Sequence, residues 1–314
     1  MSDTASRYDY QFDPSGDGTA ARVCRLVGSG HAVLELGCAA GAMSAVLNSH
    51  YGCRVTGIEF EGPAAESARR FCVRVEQADL DGPDWASRFE QGGFDRILAA
   101  DVLEHLRDPL ACARQLRGLL APGGRLVVSV PSIAHSGVLA ALLLGDFSYR
   151  ETGLMDRTHI HFFTASTLCS MLNQAGFAVD HLETVDTGPW HPEFSEYWDK
   201  LPAEVRDALA RNPMGRAYQV IVRAQPVSSD AALSRPDALA ALDAEQSNWL
   251  ASWAQALRMN EGLAGALAAS RAELEDSRRE LRESHRALAV LQASRSWKLT
   301  APLRYLAGKL KSRP

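Results

Sequence analysis

The sequence predicts an α/β protein built on a doubly wound, mostly parallel sheet, with a helical extension at its C-terminal end. Three observations predict it. Residues 33–41, Val-Leu-Glu-Leu-Gly-Cys-Ala-Ala-Gly, run an apolar strand straight into a glycine-bearing turn. Twenty-two residues beyond Gly37, a second strand of Val55, Thr56, Gly57 and Ile58 ends at an acid, Glu59. Strand, helix and strand then recur at the spacing of βαβ units.

Taken in order, residues 1–18 are polar and glycine-rich and read as a loose arm, and Thr19 to Val27 suit a helix. A strand over 32–36, a helix over 41–50 and a strand over 54–58 make the first unit. Pro63 fits the first turn of a helix reaching Phe71, because its missing N–H is no loss there. A short strand near 72–75 and a fourth over 94–100 follow. Leu110, Ala113, Leu116, Leu119 and Leu120 give the next helix one apolar side. Pro122-Gly123-Gly124 ends it, and the largely β-branched run 125–130 suits a strand with both faces buried.

After Pro131 the rhythm changes. Residues 132–164 are too long for an ordinary connection, and an insertion past the carboxyl end of a central strand is where substrate contacts collect. Thr164 suits a cap for a helix over 165–174, which Gly176 ends. Strands over 177–183 and 217–224 enclose a second insertion and bring the sheet to seven. The α/β domain therefore spans 19–225.

A linker follows over 226–236, and nothing beyond it resembles a strand. Residues 237–294 read as a long helical segment. Leu267, Leu274, Leu281 and Leu288 recur every seven residues, but the positions three further on are Ser270, Ser277, Ser284 and Leu291. One row of the seam is thus strongly apolar, which favours a homo-oligomer formed through this helix over a helix that packs on its own domain or stands alone. The tail, 295–314, combines six basic residues and no acid with Trp297, Leu299, Leu303 and Tyr305. It suits an anionic inner-membrane surface, a glycan-assembly protein or plain solvent.

The net charge of −5 argues against a nucleic-acid partner. Six cysteines without a CxxC pair, and a start lacking a basic stretch before an apolar core, predict a cytoplasmic protein with free thiols. The cytoplasmic face of the inner membrane is the further expectation for the tail.

The strand-and-turn pattern describes a nucleotide cleft. Gly37 and Gly41 let backbone approach a ligand, and Glu59 can accept from two ribose hydroxyls. A pyrophosphate-binding G-x-G-x-x-G, counted from Gly37, would need glycine at Ala39 and Ala42; alanine at the first of these crowds a pyrophosphate. A dinucleotide enzyme is thereby disfavoured.

Over residues 20–225 the chain resembles the class I S-adenosylmethionine-dependent methyltransferases of the small-molecule branch. Glu35-Leu36-Gly37-Cys38-Ala39-Ala40-Gly41 is similar to that family's first motif, with Ala39 at its middle glycine. The resemblance implies a Rossmann-like sheet with S-adenosylmethionine as cofactor and S-adenosylhomocysteine as product. The turn would hold the methionine end, which Glu35 orients. Glu59, with Phe60 beside it, matches the ribose-binding acid, and Asp79, with Leu80, matches the adenine contact. Asp101-Val102-Leu103-Glu104-His105-Leu106-Arg107-Asp108-Pro109 resembles the segment after strand four. Residues 153–164, with Asp156-Arg157-Thr158-His159, resemble a segment of methyltransferases from bacterial surface-polysaccharide clusters. The acceptor this implies is a sugar hydroxyl on a nucleotide sugar or a growing glycan such as O-antigen. A natural-product or quinone-type hydroxyl is the alternative, and a scaffold that recruits a glycan-assembly complex is another.

Methyl transfer to a hydroxyl needs in-line alignment and an acceptor for the proton, a task suited to neutral imidazole. His105, His159 and His161 are the candidates, and alternation along an extended segment would put the last two on one side. Asp156 is expected to orient a histidine or a sugar hydroxyl. Tyr149, Arg157, Trp190 and Trp198 are the candidate substrate contacts. No metal site is expected: His159, His161 and Asp156 are the only group to weigh, without a clear acidic cluster.

Overall fold

The computed structural model describes residues 11–227 and 236–293. The first ten residues, residues 228–235 and the chain from 294 lie outside the described residues. With them go most of the expected arm and linker and all of the basic tail.

Seven strands form one sheet in the order β3-β2-β1-β4-β5-β7-β6. They are β1 (Ala32–Leu36), β2 (Arg54–Glu59), β3 (Arg74–Gln77), β4 (Phe94–Ala100), β5 (Leu120–Pro131), β6 (Phe177–Asp186) and β7 (Ala217–Pro226). Pairing is parallel from β3 to β5, and β7 runs antiparallel to both β5 and β6. The predicted, mostly parallel seven-stranded sheet is present. Two edges moved. β3 starts after Cys72, because the Cys72 N–H still closes a turn on the Ala68 carbonyl at 3.2 Å. β5 begins at Leu120, which pairs with Phe94 before a register shift to Arg96–Arg125. The Pro122-Gly123-Gly124 turn thus sits inside that irregularity.

Alternation along the strands fills both faces. Leu34 and Leu36 of β1, Ile97 of β4, and Leu126 and Val128 of β5 enter one core. Val33, Leu98, Val127 and Ile221 enter the other. Each such fully buried side chain is worth about 1.5–3 kcal/mol, so both layers must be covered. Helices α1 (Thr19–Val27), α2 (Ala42–Ser49), α3 (Gly62–Ala68), α4 (Pro109–Leu119) and α6 (Ala165–Gln174) cover them. Asp108 caps α4 by accepting the Ala111 N–H at 2.8 Å. Thr164 and Thr167 form a reciprocal capping box on α6.

Both insertions fold. α5 (Ser136–Leu143) lies in the first; α7 (Ser195–Trp198) and α8 (Ala203–Ala210) lie in the second. They share a third core containing Val138, Leu154, Met155, Phe194 and Trp198. This layer joins the two segments beyond the carboxyl end of β5.

α9 (Asp237–Ala293) is continuous over 57 residues. Its first turns belong to the α/β unit: Leu239 is buried in the main core, and Trp249 Nε1 donates to the Ala208 carbonyl at 3.1 Å. Residues up to Trp249 form one compact unit and those from Leu250 a second. Among the described residues no helix is long and apolar enough to cross a membrane.

Candidate active site

The order of strands reverses between β1 and β4, the position where parallel sheets open a crevice at their carboxyl ends. A cleft of about 530 Å³ lies there, walled by Gly37 and Cys38 after β1, Glu59 and Phe60 at β2, and Asp101 and His105 after β4. Two glycines make the turn possible. Gly37 has φ +60° and a Cβ there would meet Val102 at 2.9 Å; Gly41 has φ +90° and a Cβ would meet the Phe71 ring at the same distance. Between them Ala39 holds φ +47°, a conformation that costs a non-glycine residue about 1–2 kcal/mol. Its N–H donates to Glu59 Oε2 at 2.8 Å, which ties the turn to β2.

Four acids line this space: Glu35, Glu59, Glu61 and Asp101. Glu59 also accepts the Glu61 N–H at 2.9 Å, so its carboxylate is held at the mouth of the cleft. Glu35 is buried at its base and accepts from the Ser44 hydroxyl, while its Oε1 has no partner. Burial pushes the Glu35 carboxyl up to about 8, against the Ser44 bond and with help from the Glu59 charge. Asp101 is the second non-glycine residue with positive φ among the described residues, at +53°. Cleft solvent reaches it, yet protein crowds its carboxyl and raises it. The Ser129 hydroxyl at 3.0 Å opposes that rise. So does the Gln219 amide, turned to donate to Oδ1 at 3.2 Å.

The first insertion closes the far wall through Thr158. Asp156 makes this turn: its Oδ1 accepts from the Thr158 N–H at 2.9 Å and from the Thr158 hydroxyl at 2.7 Å. The Thr158 carbonyl in turn accepts from His105 Nδ1 at 3.1 Å. That bond puts the proton on Nδ1 and leaves the Nε2 lone pair for chemistry. His159 is buried against His105, with ring centroids 4.8 Å apart, and its Nδ1 donates to the Leu154 carbonyl at 3.3 Å. Beneath both rings lies Glu104, 1% exposed, neither of whose carboxylate oxygens has a hydrogen-bond partner. Burial raises its carboxyl well above the usual range, and the Asp101 and Asp156 charges add to the rise.

Ligand atoms of Glu104, His105 and His159 lie within 4.8 Å of one another. A carboxylate with two imidazoles is a donor set for zinc or another divalent transition ion, and a buried carboxylate without donors is a group such an ion would satisfy. The donor types are those a divalent cation takes. The set differs from the His159, His161 and Asp156 group weighed in the sequence.

The structure places other expected residues away from this centre. His161 Nε2 donates to the Arg107 carbonyl at 3.3 Å and its ring lies against Phe163. The alternation fails because the N–H groups of Ile160 and His161 both converge on the Glu104 carbonyl, at 2.9 and 3.0 Å. Asp79 is exposed past β3, accepting the Asp81 N–H at 2.9 Å, and Leu80 packs on the core. Trp198 is buried in the third core and belongs to packing, not to a substrate wall. Tyr149 and Trp190 are exposed, and Arg157 pairs with Glu151. His135 is a helix cap: its Nδ1 accepts from Gly137 at 3.2 Å, and burial lowers its imidazole to about 4.

Sequence reasoning missed Thr19, Ala20 and Met43 on the cleft wall and the part taken by Glu104. The available signal for Glu104 was an acid directly preceding His105.

The profile of the family described as "Methyltransferase domain" matches residues 17–182. The chain belongs to this family. It is a class I methyltransferase of the small-molecule branch, with S-adenosylmethionine as methyl donor and S-adenosylhomocysteine as product. It is similar to the ubiquinone biosynthesis O-methyltransferase of Xanthomonas axonopodis pv. citri, at 26% identity over 170 residues, 53% of this chain and 70% of that one. The Psychrobacter arcticus protein of the same name is 28% identical over 193 residues, 58% of this chain and 71% of that one. Among solved structures, the 1,6-didemethyltoxoflavin-N1-methyltransferase of Burkholderia thailandensis aligns with a TM-score of 0.45 at 17% identity, over 68% of this chain and 80% of that one. These two relatives carry quinone names and not the surface-polysaccharide association that residues 153–164 resemble.

Proposed function

We propose that this methyltransferase methylates a hydroxyl on a small acceptor with an aromatic, quinone-type head. The observation that carries the acceptor class is a row of rings leading out of the cleft. From the His105–His159 pair it continues through Phe162 (6.5 Å from His159) and Phe147 (5.6 Å further) to Tyr149 (5.7 Å beyond). Phe147 and Tyr149 at its outer end are exposed, which suits a flat ring and an apolar tail better than a many-hydroxyl sugar. The names of the curated relatives point the same way.

In this reading the Gly37–Gly41 turn receives the methionine end of the cofactor, Glu35 pairs with its ammonium and Glu59 accepts from the ribose hydroxyls. The acceptor oxygen attacks the methyl carbon in line with the sulfur. The carbon–sulfur bond breaks and its electron pair stays on sulfur as the thioether. His105 Nε2 takes the hydroxyl proton, and the Thr158 carbonyl, bonded to Nδ1, holds the imidazolium that forms. A cation held by Glu104, His105 and His159 would instead acidify the acceptor hydroxyl as a Lewis acid. The six free thiols suit a reducing, cytoplasmic setting.

The experiment is methyl transfer from labelled S-adenosylmethionine to catechol and hydroxyquinone heads bearing short prenyl chains, beside nucleotide sugars. Methylated phenols are expected. Uptake by the sugars alone would overturn the acceptor class. His105→Gln should lower kcat about 100-fold or more while S-adenosylhomocysteine still binds.

A further inference from the structure

Beyond Leu250, α9 carries an apolar row that the described chain leaves in solvent: Leu267, Leu274, Leu281 and Leu288 are each at least 52% exposed. A helix continuous to Ala293 keeps all four on one side, since a seven-residue step nearly completes two turns. Apolar side chains at that spacing are held in water at a cost unless a second helix covers them.

We infer that residues 263–288 pair with the same segment of a second copy, as a parallel, in-register, two-stranded coiled coil. With the leucines at heptad position a, Leu263, Ser270, Ser277 and Ser284 fall at d. The flanks decide the occupant. Glu273 and Glu280 take successive g positions, and Arg271, Arg278 and His285 take successive e positions. In a parallel pair, g of one chain faces e five residues later in the other. Glu273 then faces the partner's Arg278, and Glu280 faces the partner's His285. In an antiparallel pair e faces e and g faces g, which sets arginine against arginine and glutamate against glutamate. The segment is therefore complementary to itself in one orientation only.

The serines set the strand number. In a two-stranded coil their hydroxyls reach water along the edge of the seam, whereas three or four strands would enclose them without partners. Within one helix the ion pair Arg279–Asp276 lies off the seam and does not compete for these charges.

The test is sedimentation equilibrium of the full chain, with S-adenosylhomocysteine binding as the measure of an intact catalytic unit. The native chain is expected as a dimer. Leu274→Asp with Leu281→Asp should sediment as a monomer and bind the nucleoside unchanged. Glu273→Arg should weaken the dimer about tenfold, and adding Arg278→Glu should restore it. A monomeric native chain, a trimer or tetramer, or a dimer tightened by Glu273→Arg would each overturn the inference, the last by showing the antiparallel arrangement.

Discussion

Glu35 holds a protonation state that the cofactor should reverse. Its carboxyl lies at the base of the cleft with one oxygen unpartnered, raised from an ordinary 4.5 to about 8 by burial. An acid with a raised folded value binds one more proton folded than unfolded between those two values. The stability of the free domain therefore falls as pH rises from about 4.5 to about 8. A cofactor ammonium favours the carboxylate, so binding below about pH 8 expels that proton. Affinity for S-adenosylhomocysteine should then rise with pH, approaching tenfold per unit between about pH 6 and about pH 8. Calorimetric titration across that window would show it, and Glu35→Gln should flatten the profile. A flat profile in the native chain would detach Glu35 from the ammonium. The two histidines separate just as cleanly. His161 is spent on the Arg107 carbonyl, so His161→Gln should leave kcat within about threefold of native, against the large loss at His105→Gln.

At the scale of elements, the turn at 156–159 links packing to chemistry. Asp156 holds Thr158 by two hydrogen bonds, and the Thr158 carbonyl fixes the His105 ring. Asp156→Ala should cost about 1–3 kcal/mol of stability in thermal unfolding. It should also lower kcat more than it raises the cofactor Kd, because the base loses its orientation. Equal losses in both would show a collapsed cleft instead. The strands were readable in the sequence because apolar runs entering glycine turns are local signals: Val33 to Gly41 announced β1 and its turn from composition alone. The centre was less readable because it is assembled by distance. Nothing adjacent in sequence says that His159 meets His105, 54 residues earlier, or that Glu104 will be covered without a donor. The expected pairing of His159 with His161 assumed an extended segment, and the convergence of two N–H groups on the Glu104 carbonyl bends it otherwise. α5 escaped notice for a third reason. Its residues, Ser136–Leu143, are apolar on nearly every side, so no helical period stands out, and its cap is a histidine.

At the scale of the whole molecule, α9 serves two units, and where it is cut decides what is lost. The α/β domain expected over 19–225 stops short of contacts that the structure places in it. Val227 donates to the Gly176 carbonyl at 3.1 Å and accepts from Arg117 at 2.8 Å. Leu239 enters the main core at 3% exposure, and Trp249 reaches the Ala208 carbonyl. A chain ending at Ala224 forfeits all of these. Losing Leu239 alone removes about 1.5–3 kcal/mol, and at about 2–4 °C per kcal/mol the truncated chain should melt about 3–12 °C lower. A chain ending at Trp249 keeps every one of these contacts while shedding the leucine row. It should therefore melt within about 2 °C of the full chain at low concentration, bind S-adenosylhomocysteine with unchanged affinity and sediment as a monomer. Thermal unfolding and sedimentation of the two truncations, run beside the full chain, separate the cases. Equal melting of both truncations would mean that the first turns of α9 add nothing to the catalytic unit. A dimer that survives the cut at Trp249 would move the contact between copies from the leucine row to the α/β unit itself.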